Sequence, residues 1–138
     1  MRIELDMVPP RSTAQGKGCF VVDKKPVFFT KTKQKQDQNF YAALLYPHVP
    51  AEPFHQPLGV TITFVWPWLK TAKKKHKLKG WHYHLGLPDL DNAVKGLLDV
   101  MNRLNFFTDD KIICDLSTFK RDSDKGRVVI EIEVLSDN

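Results

Sequence analysis

The sequence predicts a single α+β domain in which two main helices pack against a mixed β-sheet. Its 138 residues are enough for one domain with a hydrophobic core, and its apolar content of 42% and charged content of 27% are ordinary for a globular protein. Segments of alternating polar and apolar residues are separated by two segments of helical periodicity. The predicted order is strand, two hairpin strands, helix, strand, helix, strand, strand. No apolar run is long enough to cross a membrane.

The amino-terminal part of the chain is predicted to form three strands and one helix. Residues 2–8 alternate polar and apolar side chains, as a strand with one wet face does, and residues 19–22 and 26–30 form a hairpin around Asp23-Lys24-Lys25. Residues 31–46 form a helix with a polar first half, Thr30 as a candidate cap and Pro47 after its end. The second half of this helix is predicted to pack on the core through Phe40, Tyr41, Leu44 and Leu45.

The remaining strands are predicted from clean alternation. Residues 47–57 contain four prolines and form an extended connection to residues 58–66, the strongest strand pattern in the chain. Two further strands, at residues 111–121 and 126–135, follow the second helix. A polar turn around Asp122–Gly126 joins them.

Residues 88–110 contain the second helix and most of the candidate chemistry. The run Pro88-Asp89-Leu90-Asp91-Asn92 is typical of a helix start, in which Asp and Asn side chains cap the first free N–H groups. Asp91 and Lys95 are four residues apart and therefore share a helix face. The apolar side of this helix consists of Leu90, Val94, Leu97, Leu98 and Met101, which recur at intervals of three and four residues.

Carboxylates on both sides of this helix predict a metal site. If Asp89 is extended and Asp91 opens the helix, both side chains can turn toward one point, and the chain returns after the helix with Asp109-Asp110. Three such carboxylates repel one another until a divalent cation binds, and an oxygen-only site suits Mg²⁺ or Mn²⁺. The metal would polarise a phosphodiester or activate a water, and Lys95 would stabilise negative charge on the phosphate.

Each of these residues has a simpler structural explanation when it is taken alone. Asp91 near a helix start is more often a cap than a ligand, and Asp109-Asp110 is more often a solvated turn. Lys95 alone would be a surface lysine paired with Asp91 or Asp99. Their combination at this spacing favours the metal site.

The pattern Asp-x-Asp-Asn-x-x-Lys, followed by a helix and then Asp-Asp, resembles the RusA family of Holliday junction resolvases. The spacing of 21 residues between the first and last matching Asp agrees with the family pattern. The chain departs from that pattern at Arg103, where the family commonly has Gly, and at Ile112, where it commonly has Gln. The matching residues are Asp89, Asp91, Asn92, Lys95 and Asp110, with Asp109 beside the last of them.

The resemblance implies one RusA-like endonuclease domain over residues 1–138, acting on four-way junction DNA as a homodimer with Mg²⁺ or Mn²⁺. A two-fold dimer suits a four-way junction, because two identical sites then reach symmetry-related strands. The implied metal ligands are Asp89, Asp91 and Asp110, which with Lys95 form the catalytic set. Asn92 and Asp109 would support them.

The excess positive charge of the chain lies in one basic segment, residues 66–81. The chain has a net charge of +5, and this segment holds six lysines and no acid. Without those six, fifteen Lys and Arg remain against 16 Asp and Glu, a net charge of −1. Positive charge concentrated in this way favours a polyanion as partner. The predicted DNA contacts are Lys70, Lys73, Lys74, Lys75, Lys77 and Lys79, together with Lys120 and Arg121 further along the chain.

Aromatic residues surround the basic segment. Trp66, Trp68 and Trp81 either stack on unpaired bases or anchor the segment in the core, and the sequence leaves both alternatives open. His82 and His84 share a strand face that leads toward the acidic helix start. Metal ligation by these histidines is the less favoured alternative, because carboxylates suit a hard cation better.

The predicted function is a metal-dependent, structure-selective DNA endonuclease. A branched- or single-stranded-DNA-binding module without catalysis is the main alternative, and it predicts junction binding that no metal converts to cleavage. A nucleotide-sugar transferase, in which Asp-x-Asp holds a metal–diphosphate, is weaker because no βαβ pattern is present. The two cysteines lie far apart, and the amino terminus lacks the pattern of a signal peptide. A cytoplasmic protein that does not enter a membrane is therefore expected.

Overall fold

The computed structural model describes residues 1–11, 17–22, 25–30 and 32–136, which form a five-stranded sheet, a two-stranded sheet and two long helices. The strands are β1 (Arg2–Leu5), β2 (Lys17–Val22), β3 (Lys25–Thr30), β4 (Leu58–Pro67), β5 (His82–Tyr83), β6 (Ile113–Ser123) and β7 (Arg127–Val134). The helices are α1 (Thr32–Leu45), α2 (Lys74–Lys79) and α3 (Leu90–Arg103), with 3₁₀ turns at Tyr46–His48 and Asp110–Ile112.

The large sheet is mixed, as the sequence predicts. Its strand order is β1–β7–β4–β6–β5, with β4 and β6 parallel and every other neighbouring pair antiparallel. The predicted hairpin is confirmed as β2 paired with β3 in a sheet of its own. Its turn residues Asp23 and Lys24 lie outside the described residues, as does Lys31, the predicted first residue of α1. The mixed sheet and the two long helices confirm the predicted α+β fold class.

One face of the large sheet carries the core, and both long helices pack against that face. Val60, Ile62 and Phe64 of β4 are at most 3% exposed, because alternate residues of a strand point the same way. Helix α1 contributes Tyr41 and Leu45 to this core. Helix α3 contributes Val94, Leu97, Val100 and Met101, at the three- and four-residue spacing that predicted it. Burial of such side chains contributes about 25 cal/mol per Å².

The structure differs from the sequence prediction at several places. The predicted order lacks β5, and Asp122 and Ser123 belong to β6 rather than to the turn after it. Strand β1 ends at Leu5 rather than at residue 8, because its pairing with β7 covers only four residues. Phe40 is 51% exposed and does not pack on the core, because the core-facing stripe of α1 runs through Tyr41 and Leu45. The basic segment contains the short helix α2, where the sequence predicts a loop.

The pairing of β5 with β6 brings distant parts of the chain together. His82 lies opposite Asp122, and Tyr83 lies opposite Arg121. The chain then runs through residues 84–89 into α3, and α3 leads back through the Asp110–Ile112 turn to the start of β6. The chain thus enters α3 from β5, the neighbour of β6, and leaves α3 toward the start of β6. Among the described residues, no helix has the length and apolar character needed to span a membrane.

Candidate active site

Asp89 lies at the start of α3, with an extended backbone (φ −62°, ψ 139°). Its carbonyl oxygen accepts the first helical hydrogen bond, from the Ala93 N–H at 3.0 Å. Its exposed side chain makes no capping hydrogen bond, so the predicted capping by this carboxylate was wrong. The carboxylate of Asp89 is not used by the helix that it precedes. Asp91 lies in the first turn, as expected.

Four charged side chains line one open cleft of about 560 Å³ between α3 and β6. Asp91, Lys95 and Asp99 follow one another at four-residue spacing on α3, and Asp110 lies on the turn before β6. Asp89 is not part of the lining; it immediately precedes Leu90, which is. The uncharged part of the lining consists of Leu90, Val94, Leu98, Leu116 and Thr118.

The Asp109–Asp110 pair shows how strongly negative charge is crowded here. Asp109 Oδ1 accepts a hydrogen bond from the Lys111 N–H at 2.9 Å, which lowers the pKa of Asp109, and a hydrogen bond with Asp110 lowers it further. The same contact with Asp109 raises the pKa of Asp110, and desolvation and the negative charges of Asp109 and Asp99 act in the same direction. Asp110 would therefore be stabilised by a positive partner.

The candidate ligands Asp89, Asp91 and Asp110 are of the chemical type that binds a hard divalent cation, but they do not surround a common point in this structure. Within the described ranges, no three His, Cys, Asp or Glu side chains already converge where a metal ion could sit. All the candidate ligands are carboxylates, however, and carboxylate oxygens are the ligands that Mg²⁺ and Mn²⁺ prefer. The assignment of Asp89, Asp91 and Asp110 as metal ligands stays a prediction.

Asp99 is the residue of this cleft that the sequence reasoning missed as a site residue. It entered there only as a pairing partner for Lys95. Its spacing of eight residues from Asp91 places it on the same helix face, and that periodicity could have revealed it. Lys95 is exposed at the cleft and Asn92 is half-buried on the same helix, and their expected roles stay predictions.

His84 is buried and engaged on both sides of its ring. It is 7% exposed; its Nδ1 lies 2.7 Å from Asp122 Oδ1, and its Nε2 lies 2.9 Å from the Leu87 carbonyl oxygen. The ring stacks on Trp66 with centroids 4.0 Å apart. Because both ring nitrogens are occupied, His84 is not available to a metal, and this alternative was wrong for His84.

Lys120 is also engaged by the protein. Its Nζ donates hydrogen bonds to the carbonyl oxygens of Gly86 and Pro88, each at 2.7 Å. These carbonyls belong to the loop before Asp89, in which the Leu87–Pro88 peptide bond is cis. Lys120 was predicted to contact DNA. That role stays a prediction, and the loop contact is one that no sequence signal indicated.

The six lysines of the basic segment are all exposed, and four of them lie on α2, which buries none of its residues. Gly80 ends this helix in the left-handed region (φ 97°), where glycine carries no Cβ penalty. The ring of His76 stacks on that of His82 with centroids 3.5 Å apart, which attaches α2 to β5. The segment therefore presents a short, defined basic surface.

The three tryptophans differ in burial, and only for Trp66 does this decide between the two alternatives. Trp66 is completely buried and its Nε1–H donates to the Pro9 carbonyl oxygen at 3.0 Å, so it is an anchor and cannot stack on a base. Trp68 and Trp81 are half-buried. Lys79 Nζ lies 4.1 Å, and the Arg121 guanidinium 4.4 Å, from the centroid of Trp81. Trp81 thus carries two cations on a partly exposed ring.

Comparison with known proteins supports one family. Residues 8–133 match the family model described as "Endodeoxyribonuclease RusA". The chain is 34% identical over 133 residues to the crossover junction endodeoxyribonuclease rusA of Lactococcus phage r1t, covering 94% of this chain and 92% of the relative. It is also 31% identical over 109 residues to the uncharacterized protein YqaN of Bacillus subtilis (strain 168), covering 75% of this chain and 76% of that protein.

Proposed function

The chain belongs to the RusA family of endodeoxyribonucleases, and on that premise we propose that it resolves four-way DNA junctions by metal-dependent, paired hydrolysis of phosphodiester bonds. The relative from Lactococcus phage r1t is named as a crossover junction nuclease and aligns over nearly the whole of both chains. A junction is therefore the substrate to test first.

One observation carries the proposal: Asp91, Lys95 and Asp110 line a single open cleft. Asp91 and Lys95 come from α3, and Asp110 comes from the turn before β6, so two separate segments bring carboxylates and an ammonium group to one space. A phosphodiester needs both signs at once. Carboxylates hold a cation against its oxygens, and an ammonium group offsets the charge that grows during hydrolysis.

The charged and polar residues in and beside the cleft would divide this work as follows. Asp89, Asp91 and Asp110 would hold the ion, and Asn92 and Asp109 would support them. Lys95 would pair with the phosphate as negative charge builds on it. When bound, Mg²⁺ or Mn²⁺ would supply a Lewis acid and an activated water. Hydrolysis forms one P–O bond from water and breaks one ester P–O bond, while a proton leaves the water and another reaches the departing oxygen.

The basic segment would bind the DNA backbone without regard to base sequence. Its exposed lysines can neutralise backbone phosphates with release of counterions, which makes binding weaker at higher salt. Paired incision needs two sites related by symmetry, so we propose that a homodimer is the active species. Size-exclusion chromatography with light scattering, with and without junction DNA, measures that state directly.

The test of function is cleavage of a labelled four-way junction with and without Mg²⁺. We expect Mg²⁺-dependent, symmetric nicks from the wild-type chain and none from Asp91→Asn, because the substitution removes a ligand and the charge that attracts the ion. Asp115→Asn is the matched control: it makes the same chemical change on β6 but lines a different surface, away from the cleft.

The outcomes separate the candidate functions. Junction binding by Asp91→Asn at wild-type affinity, without cutting, supports the proposal. Undiminished cutting by that variant contradicts the site assignment. A wild-type chain that binds the junction but cuts it under no divalent metal would instead be a DNA-binding module.

A further inference from the structure

Three successive backbone carbonyls in front of Asp89 each accept a hydrogen bond from a side chain of the sheet region. Gly86 and Pro88 accept from the Lys120 ammonium group at 2.7 Å each, and Leu87 accepts from His84 Nε2 at 2.9 Å. The next carbonyl, that of Asp89 itself, begins the hydrogen-bond ladder of α3. We call these three contacts, made by Lys120 and His84, the loop clamp.

The loop clamp has little help from apolar packing. Leu85 and Leu87, the two large side chains of the loop, are 88% and 66% exposed. Their burial therefore contributes little to holding the loop, although Pro88 is buried. Hydrogen bonds from a cationic donor such as the Lys120 ammonium group are stronger than neutral ones, and its two distances of 2.7 Å agree with that character.

Both donors of the loop clamp are themselves held by the sheet. His84 donates its backbone N–H to the Lys120 carbonyl at 3.1 Å, so His84, which directly follows β5, lies beside Lys120 of β6. The imidazole is enclosed by Asp122 and the buried ring of Trp66. Its Nδ1 faces Asp122 Oδ1 and its Nε2 faces the Leu87 carbonyl oxygen, so both ring nitrogens are engaged.

The strand that carries Lys120 and Asp122, β6, begins at Ile113, directly after the 3₁₀ turn that starts at Asp110. We propose that Lys120 and His84 are positioning residues: by holding the backbone of residues 86–88 beside β6, they restrict where the carboxylate of Asp89 can lie and so favour metal binding. This inference rests on the proposed function, because it assigns a purpose to the restricted position of Asp89. Neither side chain touches the reacting atoms.

The rival role for Lys120 is a direct phosphate contact, and a measurement without DNA separates the two. Lys120→Met keeps the side-chain length and removes the donors, whereas Lys120→Arg restores donors. Mn²⁺ affinity is measured from the electron paramagnetic resonance signal of free Mn²⁺, with no DNA present. Junction affinity is measured by gel shift in EDTA. Lys125→Met, at an exposed lysine paired with Asp6, controls for loss of one positive charge.

We expect Lys120→Met to raise the Mn²⁺ dissociation constant roughly tenfold or more, the usual effect of losing a residue that orients a metal ligand. Lys120→Arg should recover most of that loss, and Lys125→Met should not show it. Junction affinity of Lys120→Met in EDTA should stay close to that of Lys125→Met. His84→Gln should also weaken Mn²⁺ binding. Because His84 is buried and cannot reach a phosphate, this loss could not be explained by a lost DNA contact.

Two results would overturn the inference. One is a Lys120→Met protein with weaker junction binding and wild-type Mn²⁺ affinity, which would make Lys120 a DNA contact. The other is wild-type Mn²⁺ affinity in both folded variants. If the wild-type chain itself neither binds Mn²⁺ nor cuts, it is the proposed function that fails, and the loop clamp then has no metal site to serve.

Discussion

Asp109 and Asp110 share a hydrogen bond that lowers the pKa of the first carboxyl group and raises the pKa of the second. Two neighbouring carboxylates repel each other and would usually turn away into solvent. Here the Lys111 N–H donates a hydrogen bond to Asp109 Oδ1 and holds that side chain in place. Negative charge is thereby kept in a place where it is unfavourable for the metal-free fold. Such a cost is typical of functional sites.

The first prediction concerns the stability of the metal-free protein. Asp110→Asn should raise the free energy of unfolding at neutral pH in EDTA by about 0.3 kcal/mol, a small value because this group is exposed and screened. The raised pKa of Asp110 means that its ionised form is disfavoured in the folded state. The gain should therefore be present above that pKa and vanish as pH falls through it.

Urea unfolding at several pH values measures this effect. Asp115→Asn, which removes a carboxylate on β6 that lines a different surface, should show no such gain. An Asp110→Asn protein that is less stable than wild type at neutral pH would show that the carboxylate is structural.

The second prediction concerns the basic segment. Replacing Lys74, Lys75 and Lys77 together with Ala should weaken junction binding and lower the slope of log affinity against log salt by about 2 to 3, since each phosphate contact contributes about 0.9 to that slope. The fold should persist, because α2 buries no residue and Ala favours helix. Gel shifts over a range of salt concentrations give the slope.

A matched control removes three lysines that lie elsewhere, namely Lys33, Lys35 and Lys125. The net charge falls equally, so an equal loss of slope would mean that overall charge, rather than α2, attracts the DNA.

The third prediction separates two tryptophans. Trp66→Phe should cost about 2 kcal/mol of stability, because it leaves a cavity and deprives the Pro9 carbonyl of its donor. Trp81→Phe should cost less than about 1 kcal/mol, because Trp81 is only half-buried. Chemical denaturation compares them, and similar costs would contradict the anchoring role of Trp66.

The fourth prediction concerns the turn after α3. Asn105 has φ 66°, in the left-handed region, while the next residues Phe106 and Phe107 are at most 1% exposed. Asn105→Val should cost about 1–2 kcal/mol, because a β-branched side chain opposes this conformation. Asn105→Gly should be nearly neutral. Thermal unfolding compares the two, and a well-tolerated valine would show that the turn can rearrange.

The sequence predicted the strands and helices whose formation depends on residues close together in the chain. Alternation at residues 58–66 predicted β4, since a strand with one buried face must alternate, and the spacing from Leu90 to Met101 predicted α3. Asp91 and Lys95 were placed on one face for the same reason. The partial mismatch in α1 at Phe40 shows the limit, because an apolar residue can lie just outside the buried stripe.

Contacts between distant segments could not be predicted in this way. The hydrogen bonds of Lys120 to Gly86 and Pro88 follow from the pairing of β5 with β6, and nothing local to either segment specifies that pairing. The packing of Trp66 against His84 likewise depends on which strands become neighbours. From the sequence alone, a lysine near the end of a strand suggests a DNA contact. In the structure, however, the Lys120 ammonium group donates hydrogen bonds to two backbone carbonyls.

The parallel register of β4 and β6 places Phe64 opposite Lys120 and Trp66 opposite Asp122. Sliding β6 by one position, about 3.3 Å, would turn Lys120 and Asp122 to the opposite side of the sheet and bring Arg121 under the loop before α3. The register of β6 against β4 therefore affects where the segment around Asp89 lies relative to the segment around Asp110. Insertions or deletions of a single residue within β6 should be far more damaging to this enzyme than changes of the same size in the turn between β6 and β7.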